Sequence, residues 1–503
     1  MRLVSALSRH RTVLAALGLA SASAWLVAEH CPGDAGLSAS DIVPAVVGDP
    51  GTTGVLLLDL VEPEDGEGGS EAELFALLEG LGLPWEKAGF YSEGEHLYRV
   101  HGAPEDLAAL QQKLAGNPLV EVVEAELEYQ LVGEVAPIPF TAEPADSERR
   151  PRFEPDDPMY GRQWHMQMIH TPEAWTITKG EGVVVAVIDT GVAWKDLPNV
   201  AKQAPDLAGT AFTKGETFVP NALPEGLDDH LHGTHVAGTI AQTTHNALGV
   251  TGVAFKSTIM PLKVLSGDGR GSIPWIANAI RYAADHGAQV INMSLGGPMP
   301  SSVLGKAIEY ANEKGVTVVC AAGNESRGRV GWPASNNGSI AVAAVDAMGE
   351  RTWYSNWGKD LDVSAPGGDT RVDKNGDGYP DGVLQNTIRL QDPMTHDYMW
   401  LQGTSMASPH AAGVAALVVS RGVNHPAEVE RILKKTAHHP NKVEWDKEYG
   451  AGVIDAVAAV DAAIESYSVE RGALAGLLGL MGLAGLGLAG LGARRARVAT
   501  RLN

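Results

Sequence analysis

The sequence predicts an α/β protein with three layers, in which helices cover both faces of a mainly parallel central sheet. Three observations support this fold class. Short apolar runs bounded by Gly or polar turns, such as "GVVVAVIDTGV", "TIMPLKVL", "AQVINMSL" and "VTVVCAAG", are typical of buried parallel strands. Helical stretches lie between these runs, which favours β-α-β connections. With 503 residues and 44% hydrophobic side chains, the chain is long enough for such a domain and for attached segments.

Both ends of the chain have the composition of membrane-directed segments. Three arginines precede an apolar run that ends in small residues, which predicts a signal peptide over 1–28 and export of the rest. Residues 472–493 form 22 positions without a charge, long enough for a transmembrane helix. The arginines that follow predict a basic cytoplasmic tail over 494–503. An uncleaved N-terminal anchor and a flexible glycine-rich tail are the alternatives.

Residues 41–132 predict a smaller α+β domain ahead of the large one. From residue 54 the order is strand, helix, two strands, helix and strand, the β-α-β-β-α-β order of ferredoxin-like units. The block is acidic, since residues 41–150 hold 23 acidic and 5 basic side chains. A Pro-, Glu- and Arg-rich stretch, 133–156, predicts an exposed linker, and the large α/β domain follows over 157–466. No basic patch is long enough to neutralise several phosphates, so a nucleic-acid partner is not expected.

Four polar residues stand at strand ends or helix starts of the predicted large domain. Asp189 ends the strand "VVVAVI", at the sheet edge where open α/β folds bind ligands. His232 opens the helix "HGTHVAGTIAQ", Ser405 opens "GTSMASPHAAGVAALVVS", and Asn324 follows "VTVVCAAG". An imidazole can take the proton of a serine hydroxyl, a buried carboxylate can orient the imidazole, and an amide can stabilise an oxyanion. These residue types predict nucleophilic acyl transfer.

The blocks "VAVIDTGV", "HGTHVAGT", "AAGNE" and "GTSMASPH" resemble the four signature blocks of the subtilisin-like serine proteases, over about residues 160–460. The resemblance implies a subtilisin-like serine endopeptidase that acts on polypeptides, with Asp189, His232 and Ser405 as the triad and Asn324 in the oxyanion hole. The chain order Asp, His, Ser is that of the family. The resemblance also implies that 41–132 is an inhibitory propeptide, removed by a cut within 133–156. A permanent accessory domain is the alternative.

The same resemblance implies a substrate cleft. The segments "SGDGRGS" (266–272) and "MSLGG" (293–297) would pair with the peptide backbone as added strands. The segment "VGWPAS" would close the first specificity pocket, with room for a bulky apolar side chain. The candidate substrate-binding residues are Gly269, Gly271, Ser294, Leu295, Gly296 and Gly331. Ordinary surface loops are the alternative.

Two segments are candidate calcium sites. For the first, the resemblance implies Asp157, Asp196 and Asn246 as side-chain ligands, with the carbonyl groups of Thr244, Leu248 and Val250. In the second, "DKNGDGYPDG", the acidic and amide residues fall at positions 1, 3, 5 and 9 of an EF-hand-like pattern, and Leu384 replaces the usual Glu at position 12. Its candidate ligands are Asp373, Asn375, Asp377 and Asp381. A plain Asn/Asp/Gly turn is the alternative.

Two other functions remain open from the sequence. The H-x-H-x-x-H spacing of His230, His232 and His235 resembles the zinc cluster of metallo-β-lactamase-type hydrolases, although Thr234 stands where that motif has Asp. We expect His230 to be an exposed loop residue and His235 to pack or hydrogen-bond near the site. A surface adhesion protein with an inactive protease domain is the other alternative, and the complete set of four polar residues disfavours it.

Overall fold

The computed structural model describes residues 45–49, 51–61, 70–89, 96–131 and 151–466. Four predicted segments lie outside the described residues: the signal peptide, most of the linker, the transmembrane segment 472–493 and the basic tail. Among the helices that are described, none has both the length and the apolar character needed to cross a membrane.

The N-terminal part folds as a four-stranded sheet with two helices. Its elements are β1 (Thr52–Leu60), α1 (Ser70–Leu81), β2 (Trp85–Lys87), β3 (Leu97–His101), α2 (Pro104–Leu114) and β4 (Val120–Leu131). The strands are antiparallel in the order β4-β1-β3-β2. Helix α2 has proline at its first position, where no intrahelical N–H bond is lost, and its leucines at 107, 110 and 114 are buried at helical spacing.

The large domain follows from residue 151. Its helices are α3 (Trp164–Met168), α4 (Thr171–Ala174), α5 (His232–Ala241), α6 (Ile273–Asp285), α7 (Ser302–Glu313), α8 (Thr404–Val419), α9 (Pro426–Thr436) and α10 (456–466). Its strands are β5 (Val184–Asp189), β6 (Ala211–Phe212), β7 (Glu216–Thr217), β8 (Thr258–Lys263), β9 (Arg270–Ser272), β10 (Val290–Met293), β11 (Leu295–Gly296), β12 (Thr317–Ala321), β13 (Ser339–Val345), β14 (Val363–Pro366), β15 (Val383–Arg389) and β16 (Asp392–Leu401).

The prediction of a parallel central sheet between two helix layers is confirmed. The strand order is β14-β13-β12-β10-β5-β8-β6, with β7 beside β8, and every neighbouring pair is parallel. Because successive side chains of a strand point to opposite faces, β5 supplies both layers. Val185 and Val187 lie in the apolar cluster that contains α5 and α8. Ala186 and Ile188 lie in the cluster that contains α6 and α7.

Three further strand pairings bring other segments to the carboxyl edge of this sheet. Strand β4 of the N-terminal part pairs with β9 and with β11 of the large domain. Strands β15 and β16 form an antiparallel hairpin that packs against α5. The carboxyl edge is therefore where the N-terminal part, the hairpin and the helix that begins at His232 meet.

Candidate active site

A buried carboxylate and an imidazole are in contact at the end of β5. The Oδ1 atom of Asp189 lies 2.8 Å from Nδ1 of His232, and both side chains are buried. The same oxygen also accepts the Thr190 N–H, an arrangement that favours the tautomer in which His232 Nδ1 donates to it. Helix α5 can approach β5 this closely because its second residue is Gly233. A Cβ atom there would lie 2.1 Å from the Gly191 carbonyl oxygen.

One further carboxylate holds the start of α5. Asp228 Oδ1 accepts hydrogen bonds from the Thr190 hydroxyl and from the N–H groups of His230 and Leu231. Its Oδ2 accepts the N–H and the hydroxyl of Thr234. The sequence patterns did not predict this role for Asp228. Asp is a preferred capping residue just ahead of helices, and that was the available signal.

The candidate nucleophile Ser405 lies at the start of α8, and the candidate oxyanion-hole residue Asn324 follows the end of β12. Ser405 is the second residue of α8, which packs against α5, and its Oγ donates to the Ser294 carbonyl oxygen at 3.2 Å. Asn324 Oδ1 accepts the N–H and the hydroxyl of Thr404 at 2.9 and 3.0 Å. The amide NH2 of Asn324 is therefore turned away from Thr404. The positioning role of Thr404 was not predicted.

Strand β4 lies along the predicted substrate-binding segments. Tyr129 pairs with Gly271, and the Leu131 N–H donates to the Gly269 carbonyl oxygen at 3.1 Å. On β11, Leu295 and Gly296 pair with Leu131 and Gln130, and Ser294 adjoins this strand. Gly331 lies beside them, because its neighbour Trp332 forms a bridge with Gly297. The structure thus places four of the six predicted cleft residues directly beside β4, and Ser294 and Gly331 lie next to these four.

The histidines of the alternative zinc set do not converge. Ring nitrogen Nε2 of His235 lies 3.1 Å from the carbonyl oxygens of both Val383 and Met399, so it is directed into the hairpin. Burial lowers the pKa of His235 to about 3, and the ring is neutral. His230 is buried rather than exposed, which corrects the expectation for this residue. Among the described residues, no group of three or more His, Cys, Asp or Glu side chains is arranged to hold a metal ion.

The first candidate calcium site has a different third residue from the predicted one. Asp157 accepts the N–H of His245 and of Asn246, and the Asn246 amide donates to Asp206 Oδ1 at 2.9 Å. Asp196 is exposed, accepts the Gln203 N–H, and forms no hydrogen bond to this group. Asp206, in the segment "APDLAG", is instead the second carboxylate that is hydrogen-bonded to Asn246. A carboxylate within a short apolar segment was the signal that could have indicated Asp206.

The second candidate segment forms one compact turn. Asp373 accepts the N–H groups of Gly376, Asp377 and Gly378. Asn375 Nδ2 donates to Asp377 Oδ2 at 3.0 Å, and Asp381 Oδ2 accepts the Lys374 N–H at 2.6 Å. All four predicted residues thus belong to the same loop, directly before β15.

The large domain is similar in sequence to known proteins. Residues 180–452 match the family model described as "Subtilase family". Thermitase from Thermoactinomyces vulgaris is 37% identical over 311 residues, which cover 61% of this chain and 99% of thermitase. Thermophilic serine proteinase from Bacillus sp. (strain AK1) is 37% identical over 66% of this chain and 71% of its own length.

Two solved structures are also similar. A protease from Pseudoalteromonas arctica superposes with a TM-score of 0.54 and 35% identity, covering 61% of this chain and 99% of its own. Fervidolysin from Fervidobacterium pennivorans, described as a keratinolytic enzyme related to subtilisin, gives a TM-score of 0.63 at 25% identity and covers 84% of this chain and 64% of its own.

Proposed function

The chain belongs to the subtilase family and is a serine endopeptidase, and from this premise we propose that Ser405 is its nucleophile, His232 its general base and Asp189 the orienting carboxylate. The observation that carries this assignment is the buried contact of 2.8 Å between Asp189 and His232, on a helix that packs against the Ser405 helix. Polypeptides are the substrates.

Hydrolysis proceeds through an acyl-enzyme. His232 Nε2 takes the hydroxyl proton as Ser405 Oγ bonds to the peptide carbonyl carbon, and Asp189 stabilises the imidazolium. The amide NH2 of Asn324 and the Ser405 N–H stabilise the negative oxygen. The C–N bond then breaks, and the amine leaves with the proton from His232. Water attacks the ester in the same way, which releases the acid and restores the serine.

The enzyme is made as a zymogen in which residues 41–132 inhibit the site. The supporting observation is that β4 pairs with both β9 and β11, so it occupies the place of a substrate backbone. Tyr129 anchors it: the side chain is fully buried, and its hydroxyl donates to the Met299 carbonyl oxygen at 2.8 Å. A cut within 133–156 frees the cleft.

Export and anchoring complete the proposal. Residues 1–28 direct export, and the uncharged 472–493 segment with its arginine-rich end holds the catalytic domain outside the cytoplasm; hydropathy and charge are the support. Fractionation of cells, with intact-mass measurement of the product, tests this. Recovery of uncut chain, with 472–493 attached, in the soluble fraction would contradict anchoring.

A structural Ca²⁺ ion is proposed at Asp157, Asp206 and Asn246. The residues fit this ion because all donors are oxygens, which Ca²⁺ prefers, and two buried carboxylates lie in one group. Burial and the nearby Asp157 raise the pKa of Asp206 to about 6. The ion supplies positive charge that compensates these carboxylates, and carbonyl groups of Thr244, Leu248 and Val250 are further candidate ligands.

Replacement of the nucleophile tests the catalytic proposal. We expect Ser405→Ala to lower the rate of casein digestion by about 10⁶-fold, the loss known for the nucleophile of subtilisin itself, and to accumulate uncut precursor. Ser408→Ala is the matched control, because Ser408 lies on the same buried helix and its hydroxyl bonds to Asn292. Equal digestion by the parent and Ser405→Ala would reject the assignment.

A further inference from the structure

Lys263, the last residue of β8, has no access to solvent. Its side chain is 0% exposed, and lysines are almost never fully buried unless they are paired. In the sheet, Lys263 stands beside Asp189, because the two residues are register partners of the parallel strands β8 and β5. A buried positive charge therefore lies at the carboxyl edge of the sheet, next to the strand that ends at the proposed site.

The ammonium group of Lys263 uses all of its donors. An ammonium group has three N–H bonds. Here Nζ donates to the Thr190 carbonyl oxygen at 2.6 Å, to Asp229 Oδ1 at 2.7 Å and to the Leu265 carbonyl oxygen at 2.8 Å. The carboxylate compensates the buried charge, and the two carbonyl groups complete the hydrogen bonds. A buried polar network in which every donor is satisfied is rigid.

The three acceptors belong to three different segments of the proposed site. Thr190 directly follows β5, Asp229 lies in the loop ahead of α5, and Leu265 lies in the connection from β8 to β9. Strand β5 ends with the proposed orienting carboxylate, α5 begins with the proposed base, and β9 pairs with β4 in the proposed substrate cleft. One ammonium group therefore joins the acid–base pair to the substrate-binding strand.

The connection from β8 to β9 also packs directly on the other two segments. The Leu265 N–H donates to the Asp189 carbonyl oxygen at 3.2 Å. A Cβ atom on Gly267 would lie 3.3 Å from Asp229 Cγ, so the glycine lets the connection approach this carboxylate closely. Loss of the ammonium group would leave one carboxylate and two carbonyl groups without this donor, in the place where the three segments meet.

We propose that Lys263 is a positioning residue of the protease, whose ammonium group fixes the distance between the acid–base pair and β9. The proposal rests on the roles proposed above for Asp189 and His232. Strand β9 holds the substrate backbone while the acid–base pair activates the nucleophile, and a displacement of about 1 Å between such groups can cost about 100-fold in rate. Lys263 acts through the three segments, because its donors are all used within the protein.

Kinetics of Lys263→Met on the full chain, incubated until its digestion rate is constant, test the proposal. Methionine fills the buried space without a charge or an N–H donor. We expect kcat for a peptide substrate to fall about 100-fold and KM to change much less, because β9 still pairs with the substrate. The rate is expressed per site labelled by a serine-directed phosphonate, so unfolded chain is not counted. Lys256→Met is the matched control, since Lys256 is exposed and lies two residues ahead of β8.

Asp229→Asn keeps the test informative if Lys263→Met does not fold. The Asp229 side chain is 24% exposed, so water can solvate the amide. We expect this variant to lower kcat about 10-fold, because the ammonium group loses its charged acceptor. In the double variant, Asp229→Asn should cost no further kcat beyond that of Lys263→Met, since the two side chains act as one unit.

Three results would overturn the proposal. The first is an unchanged kcat per labelled site in Lys263→Met, and the second is a double variant in which the two losses multiply. If Lys263→Met yields no labelled protein, the third is an unchanged kcat in Asp229→Asn. The label also tests the proposed function separately: a parent labelled at a residue other than Ser405 would reject that function. Label on Ser405 together with an unchanged kcat in Lys263→Met would reject only the positioning role.

Discussion

Asp228 illustrates how one residue positions several groups at the active site. Its two carboxylate oxygens accept five hydrogen bonds, from Thr190 beside Asp189 and from residues on both sides of His232. Thr190 in turn accepts the Gly233 N–H. Bonds to a charged acceptor contribute about 1.5–3 kcal/mol each when buried, so the carboxylate strongly favours this arrangement of the strand end and the helix start.

We expect Asp228→Asn to lower kcat by about 10-fold or more and to change KM much less. An asparagine keeps one acceptor oxygen and directs its NH2 group at former donors, so the start of α5 shifts. Strands β9 and β11, the proposed substrate-pairing strands, stay in place. Steady-state kinetics on a peptide substrate measures the split. Asp360→Asn is the control, because Asp360 forms its ion pair with the exposed neighbouring Lys359. A rise in KM as large as the fall in kcat would contradict a positioning role.

At the scale of elements, β4 joins the N-terminal part to the helix layer of the large domain. Glu124, in the middle of β4, is buried, and its carboxylate accepts the Ser301 hydroxyl and the N–H groups of Ser302 and Val303, at the start of α7. The first N–H groups of a helix have no partner within it, and a carboxylate satisfies them and the helix dipole together. Burial raises the pKa of Glu124.

We expect Glu124→Ala to loosen this junction. In the full chain with Ser405→Ala, the amides of Ser302 and Val303 should exchange hydrogen about 10-fold faster, because their acceptor is lost. In the active chain, the lag before casein digestion should shorten. Glu121→Ala is a matched control on the same strand, since its ion pair with Lys306 is partly exposed and contributes little. Unchanged exchange at residues 302–303 would show that Glu124 does not hold this helix.

At the scale of the whole molecule, one apolar cluster continues from the N-terminal part into the large domain. Leu56 and Leu107 belong to the same cluster as Ile276 and Leu304 of α6 and α7. The N-terminal part therefore shares buried surface with the large domain, which links their folding. If the proposed cut within 133–156 releases the N-terminal part, the acidic excess of residues 41–150 would favour its solubility.

Stability of the large domain should depend on pH through Asp206. Its pKa rises from 3.8 to about 6 in the folded protein, so the folded state favours the protonated acid. Without calcium, protonated Asp206 contributes about 3 kcal/mol to the free energy of unfolding below about pH 4. This contribution is lost as the pH rises through about 6. Bound Ca²⁺ favours the ionised form and offsets the loss.

Denaturant unfolding of the Ser405→Ala chain at several pH values, in chelator and in Ca²⁺, measures this dependence as the free energy of unfolding. Asp206→Asn has no titrating group here, so its stability should vary less over the same range and respond less to Ca²⁺. Asp196→Asn is the matched control and should behave as the parent. In chelator, the free energy of unfolding of the parent should not rise relative to that of Asp206→Asn between about pH 4 and 7. Such a rise would contradict the pKa shift assigned to Asp206.

The sequence by itself determined the family and the parallel sheet, and it indicated the segments of the proposed site. These features rest on local patterns: buried strands show as apolar runs, and helix starts show as capping residues and glycines next to the signature blocks. Tertiary structure alone decided that Asp206 rather than Asp196 joins Asp157, that Asp228 holds the start of α5, and that His230 is buried. Those contacts join segments separated by loops, and the paths of loops depend on packing between distant elements, which no local spacing encodes.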